Sequence, residues 1–487
     1  DEEEESKTDD SSESEEGDSG EDGEESEQDE QDEDDLSVAA AEPVHRELTD
    51  ESVTDTIFRE MEKTLTMGDD DKQPAYIGDV NKEALDKVVI KYSKLKEARL
   101  QRVGHFRPVD QVEFKQYIKG LKKNVQVAVK EFEMRKAAYQ NTRATTAKTG
   151  TIDVNKLWSY KTNEDIFLQS TKLANAKNHG MILLIDMSGS MAGSMSQVME
   201  QVMHLVMFCK ATNIPFDVYG FTSTNPNIGY EFQKLNPGVV DLDNLSMPHI
   251  CSSTFSKSDF NDSIENMYSR ITNSGWGGLS QYEEYGSTPL NQALIVSTHL
   301  VKKFKLKHGI EKMNFITFTD GDANRISTYR ELSDDNLIRP DYYSAVLNVD
   351  GTMIKTSAGS REMSSALLKN MVKKYSVNTI GFFMTDNNSS WRQRLWIMAD
   401  ELYQYSEEYK TKANKEYRNN KCVHEQNVLG YNEYYLVKGG RNLAAQEDEF
   451  AVAEDASNAN IRTAFKKFAK SKKQNKVLLT KFGKAVA

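Results

Sequence analysis

Residues 181–191 read Met-Ile-Leu-Leu-Ile-Asp-Met-Ser-Gly-Ser-Met. Met181–Asp186 is an unbroken apolar run closed by a carboxylate. A strand buried on both faces, as in parallel sheets, reads this way, whereas a half-exposed strand would alternate. Val198, Val202, Leu205, Val206 and Cys209 then recur at helical spacing. Outward from this pair the rhythm repeats. Strands are predicted at Phe216–Phe221, Met313–Thr319, Val377–Met384 and Tyr434–Val437, and helices at Thr288–Phe304 and Trp391–Tyr405. Strand and helix in alternation predict an α/β fold, a doubly wound, mostly parallel sheet with right-handed crossovers.

Two polar insertions interrupt that body, at 224–287 and 323–376. The first carries one helix-like piece near Phe260–Ile271. The second holds an alternating segment, Tyr343–Lys355, whose Asp350-Gly351 pair is a hairpin signal, then a short helix around Met363–Tyr375.

Open α/β sheets bind ligands beyond the carboxyl ends of their strands. Three segments bring oxygen-bearing side chains to that edge. Asp186, Ser188 and Ser190 follow the first strand, Thr288 lies in Gly286-Ser287-Thr288-Pro289, and Asp320 precedes Gly321 after the 313–319 strand. Each segment alone is an ordinary turn or helix cap; Thr288 before Pro289, for example, is a good N-cap with proline at the first helical position. Together, two carboxylates and three hydroxyls form a hard-oxygen set suited to Mg²⁺, with Mn²⁺ as the alternative. With only two anionic ligands, the ion keeps its attraction for an added anion.

These residues resemble the metal-ion-dependent adhesion site of von Willebrand factor A domains, over roughly residues 178–440. The family's Asp-x-Ser-x-Ser falls on Asp186, Ser188 and Ser190, its threonine on Thr288 and its second aspartate on Asp320. The resemblance implies a Rossmann-like sheet. It also implies that Ser188 and Ser190 contact the ion directly, that Thr288 does so directly or through water, and that a partner's Glu or Asp takes the vacant position.

Upstream the composition changes. The chain has 487 residues, 28% of them charged, and a net charge of −15. Residues 1–35 hold 22 of the 76 acids and one of the 61 bases, so that segment carries −21 and the rest +6. Residues 1–45 are therefore expected to be a disordered acidic tail. The chain opens at Asp1 inside this run, and further sequence is expected before it. Residues 46–140 read as helical, with Phe114, Ile118, Leu121, Val125, Ala128, Phe132 and Tyr139 forming a heptad seam. A long helix packed on another helix of the same domain is expected there, with its lysines on a solvated face. Residues 141–179 read as a polar linker, 180–440 as the α/β domain and 441–487 as a basic helical tail, with nine Lys or Arg and no acid from Ile461 onward.

Several functions are disfavoured. No apolar run is long enough to cross a membrane as a helix, and the amino terminus has no basic start with an apolar core, so a cytoplasmic protein is expected. Three distant cysteines make neither a disulfide scaffold nor a cysteine-based zinc site. There is no Gly-x-x-x-x-Gly-Lys-Ser/Thr loop for ATP and no His-Glu-x-x-His. His204 reads as a core histidine and His424 as surface loop. The aromatics at Trp276 and Tyr282–Tyr285 are either a rim to the site or packing of a long loop. A chain at −15 without interleaved aromatics makes a poor phosphate binder, so no nucleic-acid partner is expected.

The order of acidic stretch, basic helical region, the linker Thr149–Trp158 and the metal motif is similar to the T subunits of aerobic cobaltochelatases and to related proteins of tailed phages. That resemblance implies a non-catalytic subunit beside an AAA+ ATPase of the MoxR or chelatase S-subunit type, in the host cytoplasm for a phage protein. A true cobaltochelatase subunit in cobalamin biosynthesis and a stand-alone scaffold module are the competing expectations.

Overall fold

The apolar run at 181–186 lies in a strand, His179–Asp186, near the middle of an eight-stranded sheet. The computed structural model describes residues 75–438 apart from 102–107, 143–144, 153, 163–166, 173–177, 229–238, 273–278, 325, 327, 330–336, 339–344, 358, 386–387, 403–405 and 421. The acidic tail and the basic carboxyl-terminal segment lie outside the described residues, as do 46–74 and Trp276.

In chain order the first elements are β1 (Ala75–Ile77), α1 (Lys82–Val88), β2 (Val89–Ile90), α2 (Tyr92–Leu100), α3 (Gln111–Thr142), β3 (Thr145–Ile152) and β4 (Phe167–Lys172). Next come β5 (His179–Asp186), α4 (Met195–Ala211), β6 (Phe216–Phe221), β7 (Met247–Ser252), α5 (Lys257–Thr272), α6 (Leu290–His308) and β8 (Lys312–Thr319). After two short strands, β9 (Thr328–Tyr329) and β10 (Leu337–Ile338), follow β11 (Ala345–Val349), β12 (Thr352–Thr356), α7 (Ser360–Tyr375) and β13 (Val377–Thr385). The last are α8 (Asn388–Glu401), α9 (Glu407–Asn420), β14 (Cys422–Val428) and β15 (Tyr431–Lys438).

The main sheet has the order β14-β15-β13-β8-β5-β6-β7-β2. From β15 to β6 every pairing is parallel, whereas β14 and β7 run antiparallel to β15 and β6. The chain leaves β5 for β6 on one side and returns through α6 to β8 on the other. Strand order therefore reverses at β5, which is where an α/β sheet opens its ligand crevice.

Side chains alternate across the sheet. Ile182 and Leu184 enter one core with Leu294 and Val301 of α6 and Leu367 and Leu368 of α7. Met181, Leu183 and Ile185 enter the other with Val202 and Val206 of α4, Ile264 of α5, and Leu121 and Val125 of α3. Helices thus cover both faces, which explains why β5 shows no polar alternation. Burying a side chain such as Leu183 contributes roughly 1.5–3 kcal/mol.

The heptad seam is one contact line of α3. Leu121, Val125 and Phe132 are buried, with Phe114, Ile118 and Ala128 packed beside them. Phe132 meets Phe208 of α4 edge-on at 5.5 Å, and Phe114 lies 5.2 Å from Tyr268 of α5.

Four local expectations change. Residues 75–100 are not helix alone: β2 pairs with β7 at the edge of the main sheet and β1 pairs with β11. The stretch read as a linker contains the antiparallel pair β3–β4; threonine suits strands as well as loops. The insertion at 224–287 supplies β7 to the sheet. Finally, α6 begins at Leu290 with Pro289 as its N-cap, because the Thr288 carbonyl accepts from Leu290 N–H (2.8 Å) and Asn324 N–H (2.9 Å) instead of opening the helix.

Other expectations hold, with one exception at His424. The β11–β12 hairpin turns at Asp350-Gly351, both with positive φ (48° and 75°), as a two-residue primed turn requires. His204 is buried, its Nδ1 2.8 Å from the Glu200 carbonyl. The three cysteines are buried free thiols. His424, read as loop, instead lies in β14, bonded to Glu433 and stacked on Tyr435. Tyr282 is buried beside Tyr92 and Leu95 of α2, so it packs the loop. Among the described residues, no helix is long and apolar enough to cross a membrane.

Candidate metal centre

The parallel register of β5 and β8 sets Ile185 against Phe318, so the two strands end side by side. Asp186 closes β5 with no exposed surface. Its Oδ2 accepts from Thr319 Oγ1 at 2.6 Å and its Oδ1 from Ser188 N–H at 2.8 Å. Burial pushes the Asp186 carboxyl up to about 7; the Thr319 hydroxyl opposes that rise, and the neighbouring Asp320 charge adds to it.

After Asp186 the chain turns into a short 3₁₀ segment, Gly189–Gly193, with Ser188 at its N-cap. That turn buries Ser188 and brings its Oγ to 3.0 Å from Ser190 Oγ. Ser190 in turn donates to Asp320 Oδ1 at 2.7 Å.

The loop carrying Thr288 is joined to this turn through the backbone. Ser188 forms a parallel bridge with Gly286, and Gly189 N–H donates to the Gly286 carbonyl at 2.9 Å. Gly286 has no room for a side chain: a Cβ would stand 2.7 Å from Ser223 Oγ and 2.8 Å from Thr222 Oγ1. Two residues on, the Thr288 hydroxyl faces the Asp320–Gly321 turn, 3.4 Å from where a Gly321 Cβ would lie. Asp186, Ser188, Ser190, Thr288 and Asp320 are thus gathered at the ends of β5 and β8 from three separate loops.

The set fits a small hard cation. Octahedral Mg²⁺ with ligands at ~2.1 Å has neighbouring oxygens about 3.0 Å apart, and the Ser188–Ser190 and Ser190–Asp320 separations are 3.0 and 2.7 Å. Among the described residues no three His, Cys, Asp or Glu side chains form a metal-holding group. A cation here would therefore depend on the hydroxyls as well as the two carboxylates.

Sequence reasoning missed the supporting residues. Thr319 has only its place in a strand to mark it. Asp322, two residues past Asp320, is held by Arg394 Nη1 at 2.6 Å and Arg361 Nη2 at 3.1 Å. Arg394 also donates to Tyr434 Oη at 2.8 Å and lies over the Phe383 ring. Ser287 donates through its N–H and hydroxyl to Ser223 Oγ at 2.8 and 2.7 Å. Upstream, the buried Glu283 carboxylate accepts from Arg99 Nε and Nη2 (3.0 and 2.6 Å) and from Ser280 Oγ (2.8 Å), with Arg270 Nη2 at 3.2 Å. Asp322, Ser223, Ser280, Glu283 and Ser287 lie in polar loops without periodicity, their arginine partners lie on separate helices, and only the fold brings them near.

No protein-family model matches the chain, and no curated protein matches it. Among solved structures, similarity is found to the open conformation of the pilus adhesin SpaC from Lactobacillus rhamnosus GG, at 13% identity and a TM-score of 0.29, covering 63% of this chain and 31% of the adhesin. A second crystal structure of that adhesin gives 13% identity and a TM-score of 0.28 over 48% of this chain and 28% of the other. The chain thus matches under a third of the adhesin's length, and likeness at that TM-score carries no argument about function.

Proposed function

We propose that the chain is a non-catalytic, metal-dependent protein-binding subunit of the von Willebrand factor A type, acting beside an AAA+ ATPase of the MoxR or chelatase S-subunit type in a chelatase- or chaperone-like complex. One observation carries this reading: the run of hydrogen bonds from Asp186, through the Ser188 N–H, then from the Ser188 hydroxyl to Ser190 and on to Asp320, with Thr288 against Gly321. The reversal of strand order at β5, directly beneath those oxygens, supports it too.

Asp186, Ser188, Ser190, Thr288 and Asp320 would hold Mg²⁺, which when bound supplies a positive centre for a partner's carboxylate. The chain's own residues prepare the place. Thr319 and the Ser188 N–H fix both oxygens of Asp186, so the carboxylate cannot rotate away. Ser190 stands outermost, bonded to Asp320, and both face the solvent side where a partner would arrive. Three neutral hydroxyls and two carboxylates leave the site near neutrality toward a divalent ion, so an incoming acid is not repelled.

Asp186→Ala tests the proposal. Wild-type protein is expected to bind Mn²⁺ by calorimetry and to capture a co-expressed MoxR-type ATPase in Mg²⁺ but not in EDTA. The variant should lose both properties while its circular dichroism stays unchanged. Capture by the variant in EDTA at the wild-type level would end the proposal.

A further inference from the structure

We infer that Asn324 is a positioning residue of this site, bracketing the loops that carry Thr288 and Asp320 against Asp243. The inference rests on reading the site as a cation site. Asn324 lies four residues beyond Asp320. Its backbone N–H donates to the Thr288 carbonyl at 2.9 Å. Its side-chain Nδ2 donates to Asp243 Oδ2 at 2.6 Å and to Ser287 Oγ at 2.9 Å. One residue therefore joins the chain after β8 to the chain before α6, and both to the chain beyond β6.

Asp243 is built to receive that bond. Leu245 N–H closes a turn onto the Leu242 carbonyl at 2.7 Å, with Asp243 and Asn244 at φ 46° and 51°. This left-handed pair puts the Asp243 carboxylate at the tip of a primed turn, a conformation that Asp and Asn tolerate better than bulkier side chains. The Asp243 N–H is itself held by Asp241 Oδ1 at 3.0 Å. The carboxylate takes Asn324 at 2.6 Å and Ser287 at 3.3 Å. A bond to an ionised acceptor is about twice as strong as a neutral one.

The bracket matters because it ties the loop of Thr288 directly to the chain just past Asp320. Mg²⁺ demands near-ideal octahedral distances, whereas Ca²⁺ accepts looser and more numerous oxygens. A slackened bracket should therefore cost Mg²⁺ far more than Ca²⁺. Outer partners of metal ligands typically govern 10–100-fold in affinity.

Calorimetric titration of the full chain with Mg²⁺, Mn²⁺ and Ca²⁺ separates the outcomes, with Asp320→Ala as the ligand-loss control. Asn324→Ala should weaken Mg²⁺ and Mn²⁺ about tenfold or more and leave Ca²⁺ within a few-fold. Asn324→Asp, which sets two carboxylates together, should be worse. The double variant D243N/N324D exchanges donor and acceptor, and should restore Mg²⁺ binding toward wild type. Unchanged Mg²⁺ affinity in Asn324→Ala overturns the positioning role while the cation site stands. So does an equal loss of Mg²⁺ and Ca²⁺ that the double variant fails to rescue. Wild-type protein that binds none of the three ions would take down the cation reading and this inference together.

Discussion

At the scale of single residues, Asp186 is costly to place. An ionisable side chain without solvent exposure needs donors on both oxygens, and Thr319 and the Ser188 N–H provide them. Thr319→Val keeps the shape and removes one donor. The expected result is a loss of ~1–3 kcal/mol in urea unfolding for an unsatisfied buried acceptor, together with weaker Mn²⁺ binding. Equal stability of the two proteins would mean that the Thr319 hydroxyl does not support Asp186. The five proposed ligands were legible because the motif sits where strands end and helices begin. Thr319, Asp243 and Asn324 were not, since a hydrogen bond across 133 or 81 residues leaves no local pattern.

At the scale of elements, the segment leading to Thr288 is held from outside the sheet. Arg99 of α2 reaches Glu283, while Thr222 Oγ1 donates to the Glu284 carbonyl at 2.9 Å and Ser246 Oγ to the Tyr282 carbonyl at 2.8 Å. Burial alone would raise the Glu283 carboxyl, but Arg99 and Arg270 hold it down to about 2. A carboxyl lowered in the folded state stabilises fully above its ordinary value of 4.5, and that contribution is lost as pH falls toward 2. Denaturant unfolding should therefore show stability declining between pH 4.5 and 2, with a shallower decline in Glu283→Gln. Arg99→Ala at pH 7 should cost ~3 kcal/mol, since it leaves a buried charge without its principal partner. Stability indifferent to both changes would remove the clamp from the account.

The same scale shows what patterning reveals. Long helices and the doubly buried central strand announced themselves through pattern: α3 by its heptads and β5 by a continuous apolar run, while β8 and β13 showed as short, largely apolar stretches between helical ones. Edge elements did not. β7 (Met-Pro-His-Ile-Cys-Ser), next to the edge, carries a proline and mixed polarity, and β14 (Cys-Val-His-Glu-Gln-Asn-Val), at the other edge, is polar from His424 to Asn427. β2 is two residues long and has no period at all. Polar composition made 141–179 read as a linker although threonine-rich segments pair readily as strands.

Over the whole molecule, the chain meets the end of β5 first at 186–190, again at 286–288 and last at 320. Ser190 and Asp320, bonded to each other, are 130 positions apart. Such closures come late in folding, because the entropy of ordering the intervening chain is spent before distant contacts return anything. The rate-limiting ensemble should lack the finished set of oxygens proposed to hold a cation, so an ion would have little to grip until the barrier is crossed. Stopped-flow refolding should then run at the same speed with Mg²⁺ or EDTA, while unfolding slows when Mg²⁺ is present. A cation held at the proposed site would then act as a latch on the finished fold, lengthening the lifetime of a structure that it would take no part in nucleating.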